Sequence, residues 1–197
     1  GDPVYEQAYD LYFNNGGSPS ATWTSGPFSD YGTALEFSGV ADHSLAYTTY
    51  NWTELSIADT DGTVEAWVKV DAYPASEAVI AMAMPGNVSW QLKIDSMGQL
   101  GYGHKDRNDG WIPNSYSNEV LSLGNWHHVA FTREIIPDAT DSDTGDTIVK
   151  LHVDGQEVAT FEYLDTYLPI FGGGMRVGGY SPTTALFEGS IDELRIS

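Results

Sequence analysis

The 197 residues carry 28 acidic against 8 basic side chains, and the formal charge of −20 sets up a field that repels phosphate backbones and anionic lipid surfaces, which argues against nucleic acid as a partner. Cysteine is absent, which removes disulfides and zinc–thiolate sites, and no apolar run approaches the roughly 20 residues that membrane insertion as a helix requires. The start, Gly1-Asp2-Pro3, lacks a basic region followed by an apolar one, so the chain reads as a processed or excised module.

Abundant Gly, Thr, Ser, Tyr and Val favour many short strands joined by turns. The first strand pattern is Ala34 to Phe37. In Gly62 to Asp71, Val64, Ala66, Val68 and Val70 alternate with Thr63, Glu65, Trp67 and Lys69, which marks a two-faced strand. Ala78 to Met84, Val88 to Ile94 and Gln99 to His104 follow, and alternation sends Trp90 and Gln91 to opposite faces. Lys105 to Glu119 reads as a long surface loop of the kind that carries function on a rigid scaffold. His127 to Arg133 is the next strand; Pro137 to Asp146, with Asp138, Asp141, Asp143 and Asp146, forms an extended hairpin tip before Thr147 to Val153. Glu157 to Tyr163, Met175 to Val177 and Gly189 to Ile196 complete the series. Asp61-Gly62, Ser96-Met97-Gly98 and Asp154-Gly155 punctuate hairpins, and the last suits the positive φ angles of a type I′ turn. About ten strands without a helix predict an all-β sandwich or barrel. No repeat or linker divides the chain, so residues 1–197 are expected to form a single unit.

Five segments in order resemble the laminin G-like domains of bacterial and extracellular proteins, in the concanavalin A-like lectin/glucanase superfamily: Ala34-Leu35-Glu36-Phe37-Ser38-Gly39, Gly62 to Lys69, Trp126 to Thr132, Leu151-His152-Val153-Asp154-Gly155, and Phe187 to Ile196. The resemblance implies a two-sheet antiparallel jelly-roll sandwich, and a secreted or cell-surface location. It also assigns Trp67, in mid-strand of a family segment, to the core. Alternation places His127 and His128 on opposite faces, so the pair cannot chelate one metal, and both are read as structural.

The scaffold hosts lectins, adhesion domains, glycosidases and polysaccharide lyases, so function must come from sites. A retaining glycosidase needs two carboxylates about 5 to 5.5 Å apart, which on one strand means residues two or four apart on one face. The Glu-x-Asp-x-x-Glu pattern of the laminarinase-type relatives is absent, and Asp192 and Glu193 are adjacent. The expected function is therefore a non-catalytic carbohydrate-binding module whose partner is a polysaccharide or glycan. The alternatives are a protein–protein adhesion domain with an extracellular protein partner, and a glycosidase or lyase of the same fold. Tyr102, His104, Arg107, Asn108, Trp111 and Tyr116 mix aromatic rings with hydrogen-bonding groups, the combination that holds sugars, and form the candidate ligand surface. Trp111 equally suits a plug beneath the loop. Two readings of the acidity compete, a solvated shell and carboxylates that coordinate Ca²⁺. The resemblance implies a structural Ca²⁺ at Asp192, Gly39 and Asn15. The acidic tip is a rival site without the spacing of a calcium loop.

Overall fold

A computed structural model describes residues 12–13, 21–28, 31–41, 46–47, 57, 61–83, 90–105, 115–139, 144–167, 175–181 and 183–197. Its strands are β1 (Tyr12–Phe13), β2 (Ala21–Phe28), β3 (Tyr31–Ser38), β4 (Ala46–Tyr47), β5 (Gly62–Val70), β6 (Glu77–Ala83) and β7 (Trp90–Asp95). They continue with β8 (Gln99–Gly103), β9 (Ser115–Val120), β10 (Trp126–Pro137), β11 (Thr144–Val153), β12 (Gln156–Tyr167), β13 (Met175–Val177) and β14 (Glu188–Ile196). No helix occurs among the described residues.

Two seven-stranded antiparallel sheets run in the orders β1-β4-β13-β6-β7-β8-β9 and β12-β11-β10-β5-β14-β3-β2, giving the expected jelly-roll sandwich. The five family segments fall on β3, β5, β10, β11 and β14, which are neighbours in the second sheet in the order β11-β10-β5-β14-β3. What reads as five scattered signatures is thus one continuous ladder.

Alternation explains how the layers meet. Val64, Ala66, Val68 and Val70 of β5 are buried and pack with Val129 and Phe131 of β10 and Val149, Leu151 and Val153 of β11. Trp90, Leu92 and Ile94 of β7 and Leu100 and Tyr102 of β8 supply the facing half of the core. With no disulfide, this apolar burial is the main source of cohesion. Asp154 and Gly155 turn β11 into β12 with φ of 50° and 78°, the positive pair that a type I′ turn requires. That turn also fixes the histidines: His127 Nδ1 lies 2.9 Å from Asp154 Oδ2, and the His128 amide donates to Asp154 Oδ1 at 2.9 Å. The His128 ring instead meets Glu65 Oε2 at 3.3 Å on the other face, so each imidazole has its own carboxylate.

Several expectations are corrected. Trp67 belongs to the outer face, where its ring sits between Phe28 (5.3 Å) and His128 (5.4 Å), because the valines of its strand already occupy the core side. Asp61-Gly62 is not a hairpin turn: Gly62 opens β5 in mid-sheet, and Asp61 Oδ1 accepts from the Ile135 amide at 2.8 Å. The β10–β11 ladder continues to Pro137↔Gly145, so Asp146 pairs within a strand and the tip is shorter than its acidity suggests. Ser115–Val120, read as the end of a loop, is edge strand β9.

Candidate functional site

The residues chosen from sequence separate into three groups. Tyr102 and His104 lie on the core side of the first sheet, both fully buried. The Tyr102 hydroxyl accepts from Arg133 Nη1 at 3.3 Å, and the His104 ring stands 5.5 Å from Tyr102 and edge-on to Tyr163 at 5.3 Å. Neither can stack on a ligand from outside. Desolvation, with the Arg133 guanidinium nearby, lowers the His104 pKa to about 3, so the ring is neutral. Neither His104 nitrogen has a hydrogen-bond partner among the described residues.

Tyr116 occupies the opposite face of the same sheet, across from Gly101. Its hydroxyl donates to Glu77 Oε2 at 3.1 Å, and the same oxygen receives Lys93 Nζ at 3.0 Å. The ammonium lies 5.7 Å from the Tyr116 ring. Burial lowers the Lys93 pKa against the pull of Glu77, and burial together with Glu77 raises that of Tyr116. Lys93 and Gln91 on this face are both 1% exposed, whereas Glu77 and Tyr116 are partly exposed. Arg107, Asn108 and Trp111 lie outside the described residues.

The calcium set does not converge. Gly39 follows Ser38, the partner of Glu188, and its α-carbon is walled by the Glu188 side chain. Asp192 stands four residues further along β14, about 13 Å at the rise of an extended strand, too far to share an ion held at about 2.3 to 2.6 Å from each oxygen. Asp192 Oδ1 instead accepts the Glu193 amide at 2.9 Å. Asn15 and the tip residues Asp141 and Asp143 lie outside the described residues, and no group of three His, Asp or Glu side chains among the described residues could hold a metal. Among the described residues, Gly39 and Asp192 do not fit one shared ion.

An open site appears where sequence reasoning did not look. Trp23, Leu35 and Ile191 are in register across β2, β3 and β14 on the core side of the second sheet. Ile191 is buried, Leu35 partly so, and Trp23, on the edge strand, is 66% exposed. Beside Trp23 a cavity of about 300 Å³ opens, lined also by Thr33, Leu35, Val177, Ile191, Asp192, Glu193 and Leu194. Val177 belongs to the other sheet, so the cavity enters the open edge of the sandwich. Alternation alone sends Asp192 and Glu193 to opposite faces. Asp192, opposite Trp67, packs its Oδ2 against Gly26 on the outer face, and a β-bulge with Glu193 at φ 48° follows it. Thr22-Trp23-Thr24 carries a faint period-two signal, which Gly26-Pro27 and a register shift before Phe28 interrupt.

Several solved structures share the fold. A Trypanosoma rangeli sialidase in complex with the inhibitor DANA superposes with a TM-score of 0.62 at 18% identity, over 96% of this chain and 27% of that one. Domain 4 of a GH43 extracellular arabinanase from Geobacillus stearothermophilus, in complex with arabinotriose, gives 0.58 at 17% identity, over 95% of this chain and 80% of that one. A SAP-like pentraxin from Limulus polyphemus gives 0.54 at 16% identity, over 83% and 74%. This chain thus spans about a quarter of the sialidase's length. No curated protein sequence matches it. The family model Laminin_G_3, described as the Concanavalin A-like lectin/glucanases superfamily, matches residues 42–197, and the chain belongs to that family.

Proposed function

We propose that the chain is a non-catalytic carbohydrate-binding module of a secreted or cell-surface protein, and that sugar docks at the sandwich edge against Trp23. The observation that carries this reading is a largely exposed indole at the mouth of a cavity with an apolar floor and a polar rim that includes Thr33 and Glu193. Indole faces stack on the apolar faces of pyranose rings while hydroxyls and carboxylates take the sugar's hydrogen bonds. Two neighbours in fold are recorded with a sugar bound, the arabinanase domain with arabinotriose and the Trypanosoma rangeli sialidase with sialic acid, which accords with such a role.

Two features speak for binding without catalysis. The Tyr102, His104 and Arg133 set that could move a proton is sealed in the core, out of reach of a polymer. Glu193 is exposed, whereas a carboxyl acting as general acid at neutral pH needs a dry pocket. Among the described residues the large exposed apolar side chains, including Phe28, Val40, Met97, Leu123 and Leu164, are spread over several strands and turns, whereas adhesion favours one flat patch.

A glycan array probed with wild type and Trp23→Ala tests the reading. Binding should weaken at least about five-fold, the worth of roughly 1 kcal/mol of ring stacking, with stability held within about 0.5 kcal/mol as for an exposed site. Full retention of binding by Trp23→Ala, or release of reducing ends from a bound polymer, overturns it.

A further inference from the structure

We infer that the Trp23 cavity selects a single terminal sugar that is uncharged or bears an ammonium group, and rejects sugars bearing a carboxylate. The inference rests on the carbohydrate reading above and adds the ligand class. Three observations support it.

Size comes first. About 300 Å³ is at the lower end of small-molecule pockets, room for one ring and not for a run of them. The apolar floor of Leu35, Val177, Ile191 and Leu194 continues the core, so the ring enters end-on against Trp23 instead of lying along a groove.

Charge comes second. Among the described lining residues the charged ones are Asp192, whose carboxylate packs against Gly26 on the outer face, and Glu193; none is Lys or Arg. A sialic or uronic acid needs a guanidinium or ammonium to receive its carboxylate; here it would meet the carboxylate of Glu193. Sialic acid, bound in the superposed sialidase, is therefore the kind of sugar this cavity turns away.

The third is the field of the whole chain. A formal charge of −20 lowers the local concentration of anions and raises that of cations near the surface. An ammonium on the sugar gains from both rim and field, and the Trp23 ring offers its face to the same charge.

The test uses saturation-transfer and chemical-shift titrations at low salt. The probes are the methyl glycosides of glucose and galactose, their 2-amino-2-deoxy forms and their uronic acids, against wild type, Trp23→Ala and Glu193→Gln. The expected order is amino above neutral above uronic. The amino preference should fall about two- to five-fold in Glu193→Gln, the size of a rim ion pair, and should shrink in 0.5 M salt; Trp23→Ala should weaken every probe. Uronic acids that bind as well as the neutral sugars, with dependence on Trp23, overturn the charge selection and leave the carbohydrate reading standing. If Glu193→Gln does not alter the preference, the rim does not select and the inference fails. Binding of no glycoside, with the shifts of Trp23→Ala matching those of wild type, overturns both.

Discussion

At the scale of the residue, His104 makes the sharpest forecast. In the unfolded chain its imidazole takes a proton near pH 6.5; in the sandwich, where burial opposes the charge and Arg133 is already cationic, it does so only near 3. Between those values the unfolded state binds more protons, so this group costs nothing above about pH 6.5 and drains stability as pH falls, by up to about 1.4 kcal/mol per unit. Chemical denaturation of wild type between pH 6.5 and 5, above most of the carboxylate range, should show this slope, and His104→Leu should flatten it. Equal slopes in the two proteins would remove His104 as the cause. The residue also shows what a sequence can reveal. Leu100, Tyr102 and His104 share one parity in a strand pattern, so the alternation that buries Leu100 buries the other two. Chemical type, an aromatic and an imidazole near a loop, outweighed that geometry in the choice of site.

Among elements, β6, β7 and β9 share a polar network in which Glu77 receives both Lys93 and Tyr116. Lys93 is sealed and Glu77 partly open, so the two should not respond alike to substitution. Glu77→Ala leaves a buried ammonium without its carboxylate and should cost about 3 kcal/mol, whereas Lys93→Met replaces the cation by an apolar chain of similar volume and should be near neutral. Urea melts of the two variants decide the point, and equal costs would contradict it. At the β11–β12 turn, Gly155→Val places a β-branched residue at φ 78° and should cost about 1 to 2 kcal/mol in the same assay. Strands such as β5 and β11 were legible because apolar residues alternate with polar ones, and β11 also because the Asp154-Gly155 turn bounds it. By contrast β9, Ser-Tyr-Ser-Asn-Glu-Val, has no such rhythm and exists because β8 offers it an edge. The two-residue strands β1 and β4 are too short to carry any period. The cavity stayed hidden for a related reason: Trp23, Val177 and Ile191 come together only once two sheets are stacked, and a bulge at Glu193 breaks the parity on which the sequence reading relied.

For the whole molecule, the excess of carboxylates makes the compact state repel itself, and added salt relieves this within a screening length of about 10 Å at 0.1 M. Melting temperature should rise between 0.01 and 0.3 M NaCl, and a flat response would show that the charges are spaced too widely to interact. The position of β14 has a further consequence, for the order of events in folding. It lies between β3 and β5, some 150 and 125 residues earlier, so the second sheet exists as two fragments until Glu188–Ile196 slots between them. Such distant pairing has to close large loops before it yields any contact, which places refolding in the millisecond-to-second range or beyond. On a ribosome the sheet cannot close until the 190s have emerged. Until then two unpaired strand edges face each other across an empty slot that any extended segment of similar pattern could occupy.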